Sequence, residues 1–152
     1  MKRIMFVCHG NICRSPMAEM VMRDIVKRAG KENEYIIKSS ATSTEEIGNP
    51  VYPPARRELL AHGIDPSGKV AVQLSPSDLD KYDMFIGMDS ANIRNMHRIL
   101  GSGAEGKIYK MMSFVGSLDD VADPWYMGGF DKTYMDVSRA CIALFELLEG
   151  DK

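Results

Sequence analysis

The stretch from Lys2 to Pro16, KRIMFVCHGNICRSP, decides how the chain is read. Lys2 to Val7 is short, apolar and stopped by the run leading to Gly10, which suits a buried strand. Pro16 is a good first helical residue, and Ser15 before it is expected to cap the open N–H groups. Ala18, Val21, Met22, Ile25 and Ala29 recur at helical spacing, and Gly30 ends the segment, so a helix is predicted from Pro16 to about Ala29. Strand, tight loop and helix in that order put the loop at the carboxyl end of a strand and the positive end of a helix dipole.

The loop reads Cys8-His9-Gly10-Asn11-Ile12-Cys13-Arg14-Ser15, a Cys-X5-Arg pattern followed by Ser. Backbone N–H groups entering a helix converge on one spot and suit a phosphate. Gly10 is expected to permit the turn and the approach of a ligand to backbone. Arg14 can close on two phosphate oxygens with its planar fork, and the same positive surroundings favour Cys8 as thiolate, the nucleophilic form. Cys-X5-Arg alone arises often by chance, and the bland alternative is a buried structural cysteine. The strand before it, the glycine inside it and Ser-Pro opening a helix after it make the pattern specific.

Outward from this loop, strand and helix signals alternate. Tyr35 to Ser39, Met84 to Met88 and Lys107 to Met111 read as strands; Ala55 to His62, Asn92 to Leu100 and Phe130 to Glu149 read as helices. Ser40 to Pro54 reads as a loop, and Ser75-Pro76-Ser77-Asp78 opens a further short helix. The expected fold is α/β: three layers, α/β/α, with a four-stranded parallel sheet and the phosphate loop between the first strand and first helix, in a single domain over 1–152.

Composition narrows the function. With 45% hydrophobic residues the chain can build a core, and a net charge of −2 offers no global field for nucleic acid or an anionic membrane. No stretch is long and apolar enough to span a bilayer, and the run after Met1-Lys2-Arg3 is too short for a signal peptide. A cytoplasmic protein is expected, with export by a route lacking a classical signal left open. Three cysteines argue against a disulfide framework, and His9, His62 and His97 lack metal-ligand spacing, so neither metal nor organic cofactor is expected. The 12 methionines are read as core filling.

A thiolate attacking phosphorus needs its leaving oxygen protonated. Asp123-Pro124-Trp125-Tyr126, followed by Met127-Gly128-Gly129, is a turn-rich segment that could hold a carboxyl over the site, with an aromatic pair as a wall for a phenyl ring. By itself an Asp-Pro turn is more often structural, and Asp119 and Asp120 compete for the role.

The chain resembles the low-molecular-weight protein tyrosine phosphatases. VCHGNICRSPMAE from Val7 to Glu19 carries the resemblance, with Ser39 to Thr44, GNPVYPPARRELLAHGI from Gly48 to Ile64, MDSAN from Met88 to Asn92 and DPWY from Asp123 to Tyr126. The resemblance implies that Cys8 is phosphorylated during turnover, that Arg14 and the loop N–H groups hold the phosphoryl oxygens, and that Asp123 is the general acid and base. It implies a bracing network of Asn11, Ser15 and Ser39, with the Ser15 hydroxyl favouring the thiolate, and Asp89 as a loop-orienting residue. His9, Gly10, Ile12 and Cys13 complete the phosphate loop, and Glu45, Trp125 and Tyr126 form the substrate wall.

Three positions depart from the family pattern. His9 replaces an aliphatic residue of many relatives, Glu45 an aromatic of eukaryotic ones, and Lys69 a His of the bracing network in some. The implied substrates are phosphotyrosine proteins or peptides and aryl phosphates, acted on by a monomer, without nucleic acid or membrane. A phosphoarginine phosphatase is the nearest rival; such relatives carry Thr where Ile12 stands. An arsenate reductase would need further relay thiols, and Cys141 reads as core. A cysteine phosphocarrier would have less use for Arg14 and Asp123. Cys13 is either a partner for a reversible disulfide with Cys8 or a small packing residue.

Overall fold

The computed structural model describes residues 1–150, apart from the side chains of Tyr126 and Met127. The chain runs β1 (Lys2–Cys8), α1 (Arg14–Arg28), β2 (Tyr35–Ala41), α2 (Pro53–Ala61), β3 (Met84–Gly87), α3 (Ser90–Leu100), β4 (Ile108–Lys110), α4 (Pro124–Met127) and α5 (Phe130–Gly150). The strands form one sheet in the order β2-β1-β3-β4, and every neighbouring pair is parallel. The expected three-layer α/β/α architecture is therefore what the sequence adopts.

The alternation of β1 builds both cores, because successive side chains leave a strand on opposite faces. Ile4, Phe6 and Cys8 join α1 and α5 through Met17, Val21, Met22, Val137 and Leu144. Met5 and Val7 face the other way, against Phe85, Met96 and Leu100 under α3. At Gly87 a Cβ would lie 2.9 Å from both Ile93 Cδ1 and Met96 Sδ and push those side chains aside, so glycine lets α3 pack closely on β3 without that shift. That approach delivers the first turn of α3 to the carboxyl end of the sheet, beside Cys8.

Local details differ from the sequence reading where the site imposes its own geometry. Helix α1 starts at Arg14 rather than Pro16, and Cys13, the residue before it, provides no side-chain cap. Ser15 is not a cap; its hydroxyl is turned to Cys8 instead. Strand β2 runs on to Ala41, and α2 starts two residues early because Pro53 and Pro54 fit a first turn. Pro76–Asp78 forms a 3₁₀ turn closed by a capping box between Ser75 and Asp78. The segment after Asp123 is not all loop: α4 makes one helical turn, with Asp123 accepting from Trp125 N at 3.1 Å. No helix among the described residues is long and apolar enough to cross a membrane.

Candidate active site

Everything at the site is referred to the end of β1. Cys8 sits 3% exposed at the strand terminus, and the chain turns at once into α1. The residue that makes the turn is Asn11, with φ of 59°, while Gly10 stays outside the left-handed region. This corrects the role expected for Gly10. A Cβ there would come 3.4 Å from Glu46 Cγ, an ordinary contact distance, so neither backbone angle nor packing within the chain demands glycine at this position. Without a side-chain cap, the first-turn N–H groups of α1 have no partner within the helix and stay open at the Cys8 end.

Asn11 is 1% exposed and uses its whole amide. Its Oδ1 accepts from Val72 N at 3.1 Å, which fixes the orientation of the group. Its Nδ2 donates to Ser15 Oγ at 2.7 Å and to Ser39 Oγ at 2.9 Å. Ser39 in turn donates to Glu19 Oε1 at 2.6 Å. Ser15 Oγ, which accepts from Asn11, also lies 2.9 Å from Cys8 Sγ, a contact in which either atom can be the donor. Asn11 N donates to that sulfur at 3.3 Å.

The far end of this chain is a buried carboxylate. Glu19 is 2% exposed and is held by Arg23 at 2.8 Å and Lys69 at 3.4 Å. Lys69 also donates to Ser39 O at 2.9 Å, so it does occupy the bracing network. Burial pushes the Lys69 ammonium below its ordinary range against the pull of Glu19, with Arg23 and Lys38 adding repulsion. Glu19 has no counterpart in the sequence reading, since a Glu on a helix face looks like a solvated residue until its neighbours are known.

Arg14 is 3% exposed and fastened on both sides. Its Nη1 donates to Asp89 Oδ2 at 2.7 Å and to Val121 O at 3.0 Å, and its Nη2 lies 3.5 Å from Asp123 Oδ2. Burial opposes this charge, but Cys8, Asp89 and Asp123 together hold the guanidinium above its usual range. Asp89 works in two directions: Oδ1 caps α3 by accepting Asn92 N at 2.7 Å, while Oδ2 aims Arg14. The Asn92 side chain completes the capping box by accepting from Asp89 N at 3.1 Å.

Asp123 divides its oxygens as well, with Oδ1 on the backbone of α4 and Oδ2 toward Arg14. Asp120 is instead tied to Lys110 at 2.7 Å, whose hydrogen bond holds its carboxyl below the usual range, and Asp119 does not line the cleft. The cleft measures about 110 Å³ and is lined by the Cys8 loop, Glu45, Glu46, Asp123 and Trp125. Trp125 is 49% exposed and packs at 4.6 Å on Tyr52, which rests its N–H on Ile12 O. Tyr52 and Glu46 have no role in the sequence reading, where both fall in the Ser40 to Pro54 loop. His9 and Glu45 pair with each other at 3.1 Å on the rim. Ser39 reaches the site only through Asn11, and the side chain of Tyr126 lies outside the described residues. Cys13, 6% exposed, packs with Ile12 and Ala71, and burial together with the nearby Cys8 charge pushes its thiol up to about 12.

This geometry has close relatives. Residues 3–152 match the family model of the low molecular weight phosphotyrosine protein phosphatases. The chain belongs to that family. It is 34% identical to the low molecular weight protein-tyrosine-phosphatase YfkJ of Bacillus subtilis over 98% of this chain and 97% of the relative. The crystal structure of YfkJ superposes with a TM-score of 0.95, covering 100% of this chain and 97% of that one. SP-PTP, the low molecular weight protein tyrosine phosphatase from Streptococcus pyogenes, is 38% identical with a TM-score of 0.88, covering 97% and 93% of the two chains. The fold is shared by a phosphatase of another kind: DARP, the drosophila arginine phosphatase, is 25% identical with a TM-score of 0.88 over 100% of both chains. Like its family, the chain is a phosphatase.

Proposed function

We propose that the chain hydrolyses phosphotyrosine in proteins or peptides, and aryl phosphates generally, through a cysteinyl-phosphate intermediate. The observation that carries this reading is the relay ending on Cys8: Asn11 donates to Ser15, whose hydroxyl sits 2.9 Å from the sulfur and can donate to its thiolate, with Arg14 and Asp123 across the same cleft. The Cys8 thiolate attacks phosphorus while Arg14 and the open N–H groups of α1 take the phosphoryl oxygens. Asp123 carries the proton to the leaving phenol oxygen, and the S–P bond forms as the P–O bond breaks. The resulting Asp123 carboxylate then takes a proton from water as it attacks the cysteinyl phosphate, returning Cys8 as thiolate and releasing phosphate.

Ile12 and Trp125 line the cleft, Trp125 packed on Tyr52, and this wall favours a phenyl ring as the group beyond the phosphate. Ile12 lacks the hydroxyl that Thr offers a guanidinium leaving group at this position in the phosphoarginine phosphatases. The test is phosphate release from an aryl phosphate, phosphotyrosine and phosphoarginine by the reduced protein and by Cys8→Ser. Release from the aryl substrates, lost in Cys8→Ser, is the expected result. Release mainly from phosphoarginine keeps the chemistry and overturns the preference, and release from none leaves a phosphocarrier as the better reading.

A further inference from the structure

On the α3 face of the sheet, the helical layer stops short of β2. The gap opens into a groove of about 670 Å³ that runs round the free edge of β2, from Glu19, Met20 and Arg23 of α1 to the loop carrying Lys69 and Val72 and the turn of Ser75 to Tyr82. Its charged lining is Arg23, Lys38, Lys69 and Lys81 against Glu19 and Asp78, four cations to two carboxylates in a chain of net charge −2. Both carboxylates are already engaged: Glu19 by Ser39, Arg23 and Lys69, and Asp78 by Ser75 N at 2.9 Å. Lys38 and Lys81 have no ion pair among the described residues.

Ser40 is a second observation. It follows Lys38 by two residues on β2, so both leave the strand on one face. Ser40 is fully buried, lines the groove, and its Oγ has no hydrogen-bond partner among the described residues. A buried hydroxyl without a partner costs stability unless something reaches it. Hydroxyl and cations together match a compact oxyanion, and the surrounding volume leaves space for a polar body attached to it.

We propose that this groove binds the phosphate group of a small soluble phosphorylated molecule, and that its occupancy loosens the brace behind Cys8. The coupling half rests on Cys8 being the nucleophile; the binding half does not. Lys69 is the shared element. It lines the groove, and it also holds Ser39 O at 2.9 Å and Glu19 Oε1 at 3.4 Å. Ser39 donates to that same Glu19 oxygen and accepts from Asn11, whose other proton orients Ser15 toward Cys8. An anion that draws Lys69 into the groove removes one support from both the backbone and the hydroxyl acceptor of Ser39. The relay to the sulfur then loses alignment, and turnover falls without any competition for the cleft.

Inorganic phosphate is the probe, read by amide chemical shifts and by inhibition of aryl phosphate hydrolysis. The amides of Ser40, Lys69, Gln73 and Tyr82 should titrate with their own midpoint, separate from Gly10 and Arg14, which sense phosphate in the cleft. Inhibition should be mixed, with kcat lowered about fivefold at saturation, a modest coupling. In the double variant Lys38→Gln, Lys81→Gln the groove shifts should vanish and inhibition become purely competitive, while kcat and KM without phosphate stay within about twofold. Shifts confined to the Cys8 loop would overturn the site, whether or not the chain proves to be active. Groove shifts accompanied by purely competitive inhibition would overturn the coupling. Lys38- and Lys81-dependent sedimentation on phosphatidate vesicles would overturn the assignment to a soluble ligand.

Discussion

Asn11 offers the sharpest test of how the loop is held, because its backbone and its side chain can be separated. The backbone sits at φ 59°, where a residue with a Cβ is strained by roughly 1–2 kcal/mol and glycine is not. The side chain makes three hydrogen bonds in a site that is 1% exposed, to Val72 N, Ser15 and Ser39. Net contributions of about 0.5–1.5 kcal/mol each suggest that removing the amide costs on the order of 2–4 kcal/mol. Asn11→Ala keeps the Cβ and should lose the side-chain share alone, and Asn11→Gly should lose about 1 kcal/mol less because the backbone strain is relieved. Urea unfolding at equilibrium measures both. Turnover of an aryl phosphate should fall in both variants by about tenfold or more, the worth of one misdirected hydrogen bond to a charged sulfur. Equal stability of the two variants would refute the strain argument. Undiminished kcat in either would refute the claim that Asn11 orients Ser15 toward Cys8.

Asp123→Asn should lower kcat by about 10²–10⁴-fold for phenyl phosphate and far less for an aryl phosphate with a good leaving group, because only the former needs the proton; equal losses on both would place the acid elsewhere. Gly87→Ala should destabilise the fold by about 1–3 kcal/mol through the contacts with Ile93 and Met96, measured by thermal or urea unfolding. Peroxide should oxidise Cys8 to the sulfenic acid, which the Cys13 thiol then condenses with, losing water to form a disulfide detectable by mass spectrometry; Cys8 passing straight to higher oxides would leave Cys13 a packing residue. Burial raises the Cys13 and Cys141 thiols, so the native state keeps protons that the unfolded chain gives up. Their contribution is complete below the ordinary thiol value of 9.0 and is lost as pH climbs toward about 12 for Cys13. Each thiol should cost about 1.4 kcal/mol of stability per pH unit in that window, and replacing Cys13 by Ala should flatten the slope.

What was legible in the sequence is local. The strand, the turn and the helix around Cys8 are contiguous, so composition and periodicity within 15 residues of α1 and seven of β1 suffice to read them. Arg14 was readable for the same reason: six positions after Cys8, it opens the helix that the loop feeds. The alternation of strand and helix signals then left few arrangements besides a parallel, three-layer sheet. Element ends were less legible where the site overrides propensity, as when Ser15 gives up capping α1 to serve Cys8.

The resemblance named Ser39, Asp89 and Asp123, but only tertiary structure decided how distant groups meet the loop. Asp89 lies 75 positions from Arg14 in the chain, and its role depends on Gly87 letting α3 approach β3. Tyr52, Glu46 and Lys69 come from loops whose path follows from packing rather than from any pattern of their own. Glu19 sits on the same helix as Arg14, yet its burial and its role in the relay depend on β2 and Lys69 arriving beside it. The turn at Asn11 rather than Gly10 belongs here too, since the left-handed backbone is held by an amide whose three partners lie 4, 28 and 61 residues away. Short-range order follows from side-chain periodicity and turn chemistry, which each residue carries with it. Convergence of remote groups follows from burying two faces of one sheet, and no single segment encodes that by itself.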